Sequence, residues 1–432
     1  MEAIKEDVLD VNGYNLHLVP NKKFKTINIV AKFKATLNRE TITKRALIPY
    51  LLKQGPKNHP SRKELQIQLD NLYGAVLSID GGKKGENHII SLRLEVANQK
   101  FIPNESGILE GAVELFNDVI FHPNTSGQAF QPTIFKREKN TLKQKINSIK
   151  DDKMSFANMR LIDEMCDGEP YQLHVHGYEE DLDSMTPEDT YAYYQELLQQ
   201  DELDIFVLGD FDIEEMKQLI TSKIKRDEKQ ATNHNDNVTE ADNNSKEKPQ
   251  EVIEKQNIQQ AKLHIGYRTN ITYQDEEYPA LQVFNGILGG FPSSKLFINV
   301  REKNSLAYYA SSKLESHKGL LLVFSGIAPA DYQKAREIME LQMSAMKNGE
   351  ISNSELSETK ELIVNQLLET MDHPQGMIEL LYQQVIAKKD LKPSELIEKI
   401  KAVQVEEVTE VASRIEEDTV YLLTSEGGEP SE

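Results

Sequence analysis

The chain contains a single cysteine, Cys166, so it cannot form an internal disulfide. A protein without disulfides suits a reducing compartment. The first residues of the chain lack both the basic and the apolar stretch of a signal peptide. The longest apolar run, around residues 319–327, is much shorter than a helix that spans a bilayer. We therefore expect a cytoplasmic protein that does not cross a membrane.

Positive charge is also scarce. The chain has 50 Lys and Arg residues against 70 Asp and Glu residues, which gives a net charge of -20. Nucleic acids and anionic membranes repel an acidic surface, so neither is expected to be the main partner. The rest of the composition is that of an ordinary globular protein, and the 432 residues are enough for more than one domain.

The chain contains no H-x-x-E-H and no H-E-x-x-H sequence, the two helical patterns that hold a catalytic zinc ion. A catalytic zinc ion needs three protein ligands and an open position for water. His174 and His176 would share one face of a strand, which is a spacing that can bind a metal. No third ligand is suitably placed in the sequence, so a structural role for this pair is the favoured interpretation.

The periodicity of the apolar residues predicts the same order of elements in both halves of the chain. Each half reads as a strand, two helices, two strands and a helix. In the first half these elements are predicted at residues 26–33, 43–54, 61–72, 75–79, 88–96 and 107–120. In the second half they are predicted at residues 260–267, 277–288, 293–303, 307–314, 320–327 and 331–347. The pattern predicts an α+β protein of two homologous domains, each a mostly antiparallel sheet with helices packed on one face.

A polar segment separates the two halves. Between residues 227 and 250 the only aliphatic side chains are two alanines and one valine. Such a segment cannot bury enough apolar surface to offset the entropy lost on ordering. We therefore predict an N-terminal domain of residues 1–225, an exposed linker of residues 226–258 and a C-terminal domain of residues 259–432.

The most distinctive stretch is residues 288–310, which read LGGFPSSKLFINVREKNSLAYYA. They predict a glycine-rich turn, an amphipathic helix, and a strand that begins near Leu306. Arg301 lies near the end of the helix and Tyr308 at the start of the strand, so both hydrogen-bond donors can reach one rim of a sheet. Considered singly, each residue is most simply a surface arginine or a half-buried strand tyrosine.

From Gly289 to Tyr308 the chain carries the pattern G-G-x-x-S-S-x-L-F-x-x-V-R-E-K-x-x-L-A-Y. This pattern resembles the C-terminal signature of the pitrilysin/insulinase (inverzincin) superfamily of zinc metallopeptidases. It is similar to the two-domain branch that includes mitochondrial processing peptidase and its bacterial relatives. Residues 174–189 and 205–212 also resemble segments of this family, so the resemblance covers both halves. It implies a LuxS/processing-peptidase-like metallohydrolase fold.

In this family an inverted H-x-x-E-H on a helix of the N-terminal half holds the zinc ion, and a later glutamate completes the ligands. The glutamate within the motif acts as general base on the metal-bound water. The positions that match the two histidines are Ala46 and Tyr50, the position of the base is Pro49, and the later glutamate falls near Lys145. None of these side chains supplies that set of ligands or that base. We expect no metal and no cofactor in this chain, and no peptidase activity from the chain alone.

In the heterodimeric members of the family, one subunit holds the zinc ion and the other presents an arginine–tyrosine pair to the substrate. The resemblance implies that Arg301 and Tyr308 form this pair and contact peptide or unfolded polypeptide beside the zinc of a homologous, H-x-x-E-H-containing partner subunit. Two alternatives remain open. One is a purely structural member of the fold, and the other is an active enzyme with a metal at His174 and His176. Without its partner the chain could also form a homodimer.

Overall fold

The computed structural model describes residues 4–11, 13–226 and 248–426. These residues divide into two compact units. The first unit contains the described residues up to Ser148 and residues 173–226, and the second contains Ile149–Gln172 and residues 248–426. Most of the segment that the sequence predicts as a linker, residues 227–247, lies outside the described part of the chain.

The first unit is built on a six-stranded sheet with the strand order β1-β2-β6-β3-β5-β4. Neighbouring strands are antiparallel except for β2 and β6, which are parallel. The strands are β1 (Asp7–Val11), β2 (Tyr14–Pro20), β3 (Thr26–Thr36), β4 (Val76–Lys84), β5 (Asn87–Ala97) and β6 (Glu202–Gly209).

Eight α-helices occur in the described residues between β3 and residue 226. Helix α5 and the last three residues of α4 belong to the second unit, and the others belong to the first. They are α1 (Ile42–Leu52), α2 (Arg62–Asn71), α3 (Ile108–Phe121), α4 (Pro132–Asp151), α5 (Lys153–Met165), α6 (Glu179–Ser184), α7 (Pro187–Gln200) and α8 (Ile213–Lys223). Ser61 caps α2 by accepting a hydrogen bond from the backbone N–H of Glu64. This cap satisfies an amide that has no partner within the helix.

The second unit is built on a five-stranded sheet with the strand order β7-β11-β8-β10-β9. Only β7 and β11 are parallel in this sheet. The strands are β7 (Gln250–Gln256), β8 (Ala261–Arg268), β9 (Ala307–Glu315), β10 (Leu320–Ile327) and β11 (Glu416–Ser425). The helices that follow β8 are α9 (Tyr278–Asn285), α10 (Tyr332–Lys347), α11 (Asn353–Met371), α12 (Pro374–Ala387), α13 (Pro393–Ala402) and α14 (Val405–Arg414).

The two sheets have the same topology. Strands β2-β6-β3-β5-β4 of the first sheet occupy the same order, and have the same parallel pair, as β7-β11-β8-β10-β9 of the second. Each sheet packs against a separate apolar core. This architecture confirms the α+β fold class and the repeat predicted from the sequence.

Strand β7 lies inside residues 226–258, the stretch that the sequence predicts as a linker. Its sequence, QEVIEKQ, is mostly polar, and Glu251, Ile253 and Lys255 are exposed. An edge strand pairs with one neighbour and needs little apolar surface. Its place in the sheet therefore comes from backbone pairing with β11, which the composition of β7 does not reveal.

Residues 149–172, which the sequence assigns to the N-terminal domain, belong to the second unit. Helix α5 in this segment packs on β8 and β11 through a small apolar cluster that includes Leu161 and Met165. A side chain at Gly266 would collide with Met165, so this glycine allows the helix to approach the sheet closely. Arg268 of β8 donates a hydrogen bond of 2.7 Å to the carbonyl of Met165.

No helix of the described residues is long and apolar enough to span a membrane.

Candidate functional site

Arg301 lies on a π-helical turn, Phe297–Glu302, in place of the end of the regular helix predicted at residues 293–303. Leu296 and Val300 are buried and fix this segment to the core of the second unit. Arg301 points away from the core, with 43% of its side chain exposed. Its guanidinium stacks on the Phe297 ring at 4.5 Å and lies 3.6 Å from the Glu302 carboxylate.

A tight turn joins this π-helical segment to β9. The N–H of Ser305 donates to the carbonyl of Arg301, and the N–H of Leu306 donates to the carbonyl of Val300, each at 3.0 Å. Ser305 adopts the left-handed conformation, with a φ of 54°, which reverses the chain direction. Tyr308 is the second residue of β9 and is 76% exposed.

The structure thus places Arg301 and Tyr308 on one turn-and-strand unit, as the sequence predicts. No hydrogen bond joins the two side chains within the described part of the chain. Tyr309 points to the other face of β9 and is half-buried. Neither Arg301 nor Tyr308 fills a core position, so both side chains can contact a molecule outside the chain.

The positions that match the zinc motif lie in the first unit. Ala46, Pro49 and Tyr50 are spaced along α1 so that they share one face of the helix. Next to them, the buried Arg45 forms an ion pair of 2.6 Å with Asp201. Arg45 also donates hydrogen bonds to the backbone carbonyls of β3 and β5, at Phe33 and His88. Helix α1 is therefore anchored by a buried cation.

The face of the sheet beside α1 carries Gly81, Lys83 and His88. Lys83 pairs with His88 in the register of β4 and β5, and Gly81 lies two residues before Lys83, so the three residues share one face. A Cβ atom on Gly81 would lie 3.2 Å from Nε2 of His88 and 4.0 Å from Cγ of Pro49. The glycine therefore lies between the proline and the imidazole.

His88 is completely buried, and neither of its ring nitrogens has a hydrogen-bond partner among the described residues. Burial holds the pKa of His88 well below its ordinary value. The positive charges of Arg45 and Lys83, and of His176 when it is protonated, lower this pKa further. His88 is therefore neutral near pH 7.

Lys145 acts on this group of residues through the effect of its positive charge on His176. Lys83 donates a hydrogen bond of 3.3 Å to the carbonyl of Leu173, at the start of the loop that carries His176. Burial lowers the pKa of His176 to about 4, and the charges of Lys145 and His174 lower it as well. Lys145 itself is exposed on α4 and makes no ion pair with a residue that the structure describes.

This donor set does not fit zinc. Alanine and proline offer no ligand atom, and a lysine ammonium repels a divalent cation. Burial and the negative charge of Glu138 raise the pKa of Tyr50, so this phenol stays protonated. No group of three or more His, Cys, Asp or Glu residues in the described ranges could hold a metal ion. The His174–His176 alternative therefore gains no support from the structure.

The comparisons with known proteins agree with this geometry. Residues 184–363 match the family described as the peptidase M16 inactive domain. The chain is 44% identical over 420 residues to the probable inactive metalloprotease YmfF of Bacillus subtilis, a match that covers 96% of this chain and 97% of that protein. This chain belongs to the peptidase M16 family. The family matches the resemblance seen in the sequence, and the chain is an inactive member of it.

Solved structures of M16-like proteins have the same fold. A conserved protein from Enterococcus faecalis V583 superposes with a TM-score of 0.88 at 33% identity, covering 99% of this chain and 100% of that one. A peptidase M16 inactive domain from Pseudomonas fluorescens superposes with a TM-score of 0.79 at 14% identity, over 99% of this chain and 100% of that one. The second likeness concerns the fold alone.

Sequence reasoning missed Arg45, Lys83 and His88 as members of the site. No local motif marks them, because Lys83 and His88 meet across two strands and Arg45 finds Asp201 far along the chain. The sequence did offer one signal that the charge of this site differs from the family pattern. Lys145 places a positive charge where that pattern has a glutamate.

Proposed function

We propose that this chain is the non-catalytic subunit of a heterodimeric metallopeptidase. It binds and orients a peptide for a homologous partner subunit, which contains H-x-x-E-H and holds the zinc ion. The observation that supports this most directly is the exposure of Arg301 and Tyr308 on a well-packed turn of the second unit. A heterodimer of this kind would work in the bacterial cytoplasm.

The chemistry of the pair suits this role. A guanidinium and a phenol both donate hydrogen bonds, and a peptide carbonyl accepts them. Donors that are already in place stabilise the negative charge that develops on this oxygen during hydrolysis. Val300 and Leu306, on either side of the turn, are buried and limit how far the two donors can move. The chain would therefore contribute donors and the partner would contribute the metal and the base.

A mixing experiment tests this proposal. The chain is expressed with an H-x-x-E-H-containing homologue from the same genome, and copurification and peptide cleavage are measured for each chain alone and for the mixture. We expect the two chains to copurify and the mixture to cleave peptides much faster than either chain alone. A mixture that is no faster than the H-x-x-E-H chain alone would contradict the proposal.

The alternative is a structural member of the fold with no role in proteolysis. The fold does not depend on the zinc ligands or on the Arg301–Tyr308 pair. The ion pair of Arg45 with Asp201 anchors α1, and the apolar core of the second unit does not include Arg301. On this alternative the two chains copurify, but the activity of the mixture does not respond to changes at Arg301 or Tyr308.

A further inference from the structure

The outer edge of the second sheet is open where the first sheet carries an additional strand. The five strands of the second sheet match β2-β6-β3-β5-β4 of the first, and β7 occupies the position of β2. In the first sheet, β1 pairs with the outer edge of β2 in antiparallel orientation. No strand of the described residues pairs with the outer edge of β7. Comparison of the two sheets therefore indicates that this edge can accept an antiparallel strand.

The exposed side chains of β7 decide which strand fits there. An open edge presents backbone N–H and C=O groups to other chains, and proteins often block such an edge with charges. Strand β7 carries two exposed charges, Glu251 and Lys255. Between them lies Ile253 on the same face, and this aliphatic side chain is 46% exposed. The two charges have opposite signs and are equally spaced about the isoleucine, so this edge does not repel a second copy of itself.

This order of residues makes β7 complementary to itself in one register. When two copies run antiparallel with Ile253 opposite Ile253, Glu251 of each copy lies opposite Lys255 of the other. Each such pair of opposite charges or of aliphatic side chains contributes about 0.2–1 kcal/mol. An in-register parallel pair would place like charges opposite each other. A shift of two residues in the antiparallel pair would place Ile253 opposite a charge.

The opposite face of β7 tolerates the same register. There Val252 would lie opposite Glu254 of the second copy. The Glu254 carboxylate accepts hydrogen bonds from the guanidinium of Arg160, at 3.2 Å, and from the hydroxyl of Tyr421, at 2.8 Å. The carboxylate is therefore satisfied within its own chain and needs no new partner across the interface.

We propose that the outer edge of β7 is an interface at which two copies of this chain pair antiparallel and join their second sheets into one continuous sheet. Such an interface is two-fold symmetric, because each copy contributes the same strand. The seven residues of β7 extend over about 24 Å. Because this contact is small and each chain has a net charge of -20, we expect a weak dimer with a Kd of roughly 10–100 μM.

This interface is independent of the proposed function. Tyr308 lies on β9, at the opposite edge of the same sheet from β7. Pairing at β7 therefore does not use the edge that carries Tyr308.

Sedimentation velocity of the full chain from about 1 μM to about 500 μM, at physiological salt, measures the dimer. Lys255→Glu places like charges opposite each other in both pairs and should raise Kd about tenfold or more, and Glu251→Lys should do the same. An equimolar mixture of the two variants restores opposite charges and should dimerise at least as well as the unmodified chain. Lys313→Glu, at an exposed lysine of β9, is the matched control and should leave Kd within about twofold.

Cysteine cross-linking tests the register. Residues directly opposite each other in an antiparallel pair have Cα atoms about 4.5–5.5 Å apart, which a disulfide can span. Ile253→Cys should therefore give a covalent dimer under mild oxidation. Lys255→Cys is the matched control, because its two copies would lie about 14 Å apart along the strands. An equimolar mixture of Glu251→Cys and Lys255→Cys should cross-link, and the unmodified chain should not, because Cys166 is buried.

Three results would each overturn the inference. The first is a chain that stays monomeric up to about 500 μM. The second is a dimer whose Kd does not respond to either charge reversal, or that the mixture of Lys255→Glu and Glu251→Lys does not restore. The third is cross-linking of Lys255→Cys alone as readily as Ile253→Cys, which would show chance collisions in place of a fixed register. Peptide cleavage with the H-x-x-E-H subunit is a separate measurement, so failure of this interface and failure of the proposed function are distinguishable.

Discussion

Replacing Arg301 with alanine tests the proposed function most sharply, because we expect a large loss of activity and only a small loss of stability. Arg301 is 43% exposed on its side chain and its closest charged contact is Glu302, at 3.6 Å. Exposed ion pairs contribute at most about 1 kcal/mol. The stacking of Arg301 on Phe297 contributes about 0.5–1 kcal/mol. Arg301→Ala should therefore lower Tm by no more than a few degrees.

The expected effect on catalysis is much larger. Loss of one preorganised donor to an oxyanion lowers kcat by about 10²–10³, which corresponds to about 2.7–4 kcal/mol. If Arg301 only holds the ground-state carbonyl, its loss raises KM and leaves kcat nearly unchanged. Steady-state cleavage of a fluorogenic peptide by the mixture with the H-x-x-E-H subunit, with kcat and KM determined separately, distinguishes these two roles. Tyr308→Phe, which removes a single hydroxyl, should act in the same direction with a smaller effect.

Two matched variants control for changes that any substitution on this turn would cause. Lys303→Ala removes a neighbouring cation that donates a hydrogen bond of 3.3 Å to the side-chain oxygen of Asn299. Tyr309→Phe removes a hydroxyl from the other face of β9. Both should leave cleavage within about twofold of the unmodified mixture. If Arg301→Ala also stays within about twofold while the heterodimer and its zinc content are intact, the assignment of Arg301 to the substrate is refuted and the structural alternative is preferred.

Three further predictions concern stability. Arg45→Met leaves Asp201 buried without its cation and should lower the free energy of unfolding by about 3–5 kcal/mol, measured by urea denaturation; Asp201→Asn in the same chain should restore part of the loss. Burial and the charge of Lys262 lower the pKa of His264 to about 3. The unfolded state therefore binds more protons below pH 6.5, and stability should fall by up to about 1.4 kcal/mol per unit as pH drops from 6.5 toward 3. His264→Phe should flatten this part of the pH–stability curve, and an unchanged slope would contradict the assignment. Gly177 has a left-handed backbone conformation, and Gly177→Ala places a side chain against Thr43. This variant should lower the free energy of unfolding by about 1–3 kcal/mol, measured as a lower Tm in calorimetry. Gly168 is also left-handed but has open space around it, so the control Gly168→Ala should lower the free energy of unfolding less.

Elements with a strong period could be predicted because their apolar residues alone specify which face is buried. The strands at residues 307–315 and 320–327 and the helix at 332–347 follow from the sequence within a residue or two. The secondary structure of the glycine-rich stretch was harder to predict. The predicted helices at residues 277–288 and 293–303 end or widen into π-helical turns at Gly286–Gly290 and Phe297–Glu302. These turns let Gly289 approach Ser312 of β9, a contact between distant segments.

For the candidate site, too, the sequence predicts one part and only the structure reveals the other. The sequence alone shows that the positions of the family's zinc motif do not suit zinc, because Ala46, Pro49 and Lys145 do not supply the ligands and the base of that motif. It also identifies Arg301 and Tyr308 as candidates, and their contact with a substrate stays a prediction. The sequence does not indicate that His88 has an unpartnered ring beside Gly81, because that depends on how β4 pairs with β5 and on how α1 packs over them.

The sequence by itself determined the fold class, the internal repeat and the missing zinc chemistry, since periodicity and donor atoms are properties of local residues. Only the tertiary structure decided that β7 completes the second sheet, that α5 packs on β8 and β11, and that Lys145 acts on His176. Backbone pairing of a polar edge strand, burial of a shared helix face and the electric field at a buried ring all arise between residues that are far apart in the chain. No local pattern records them.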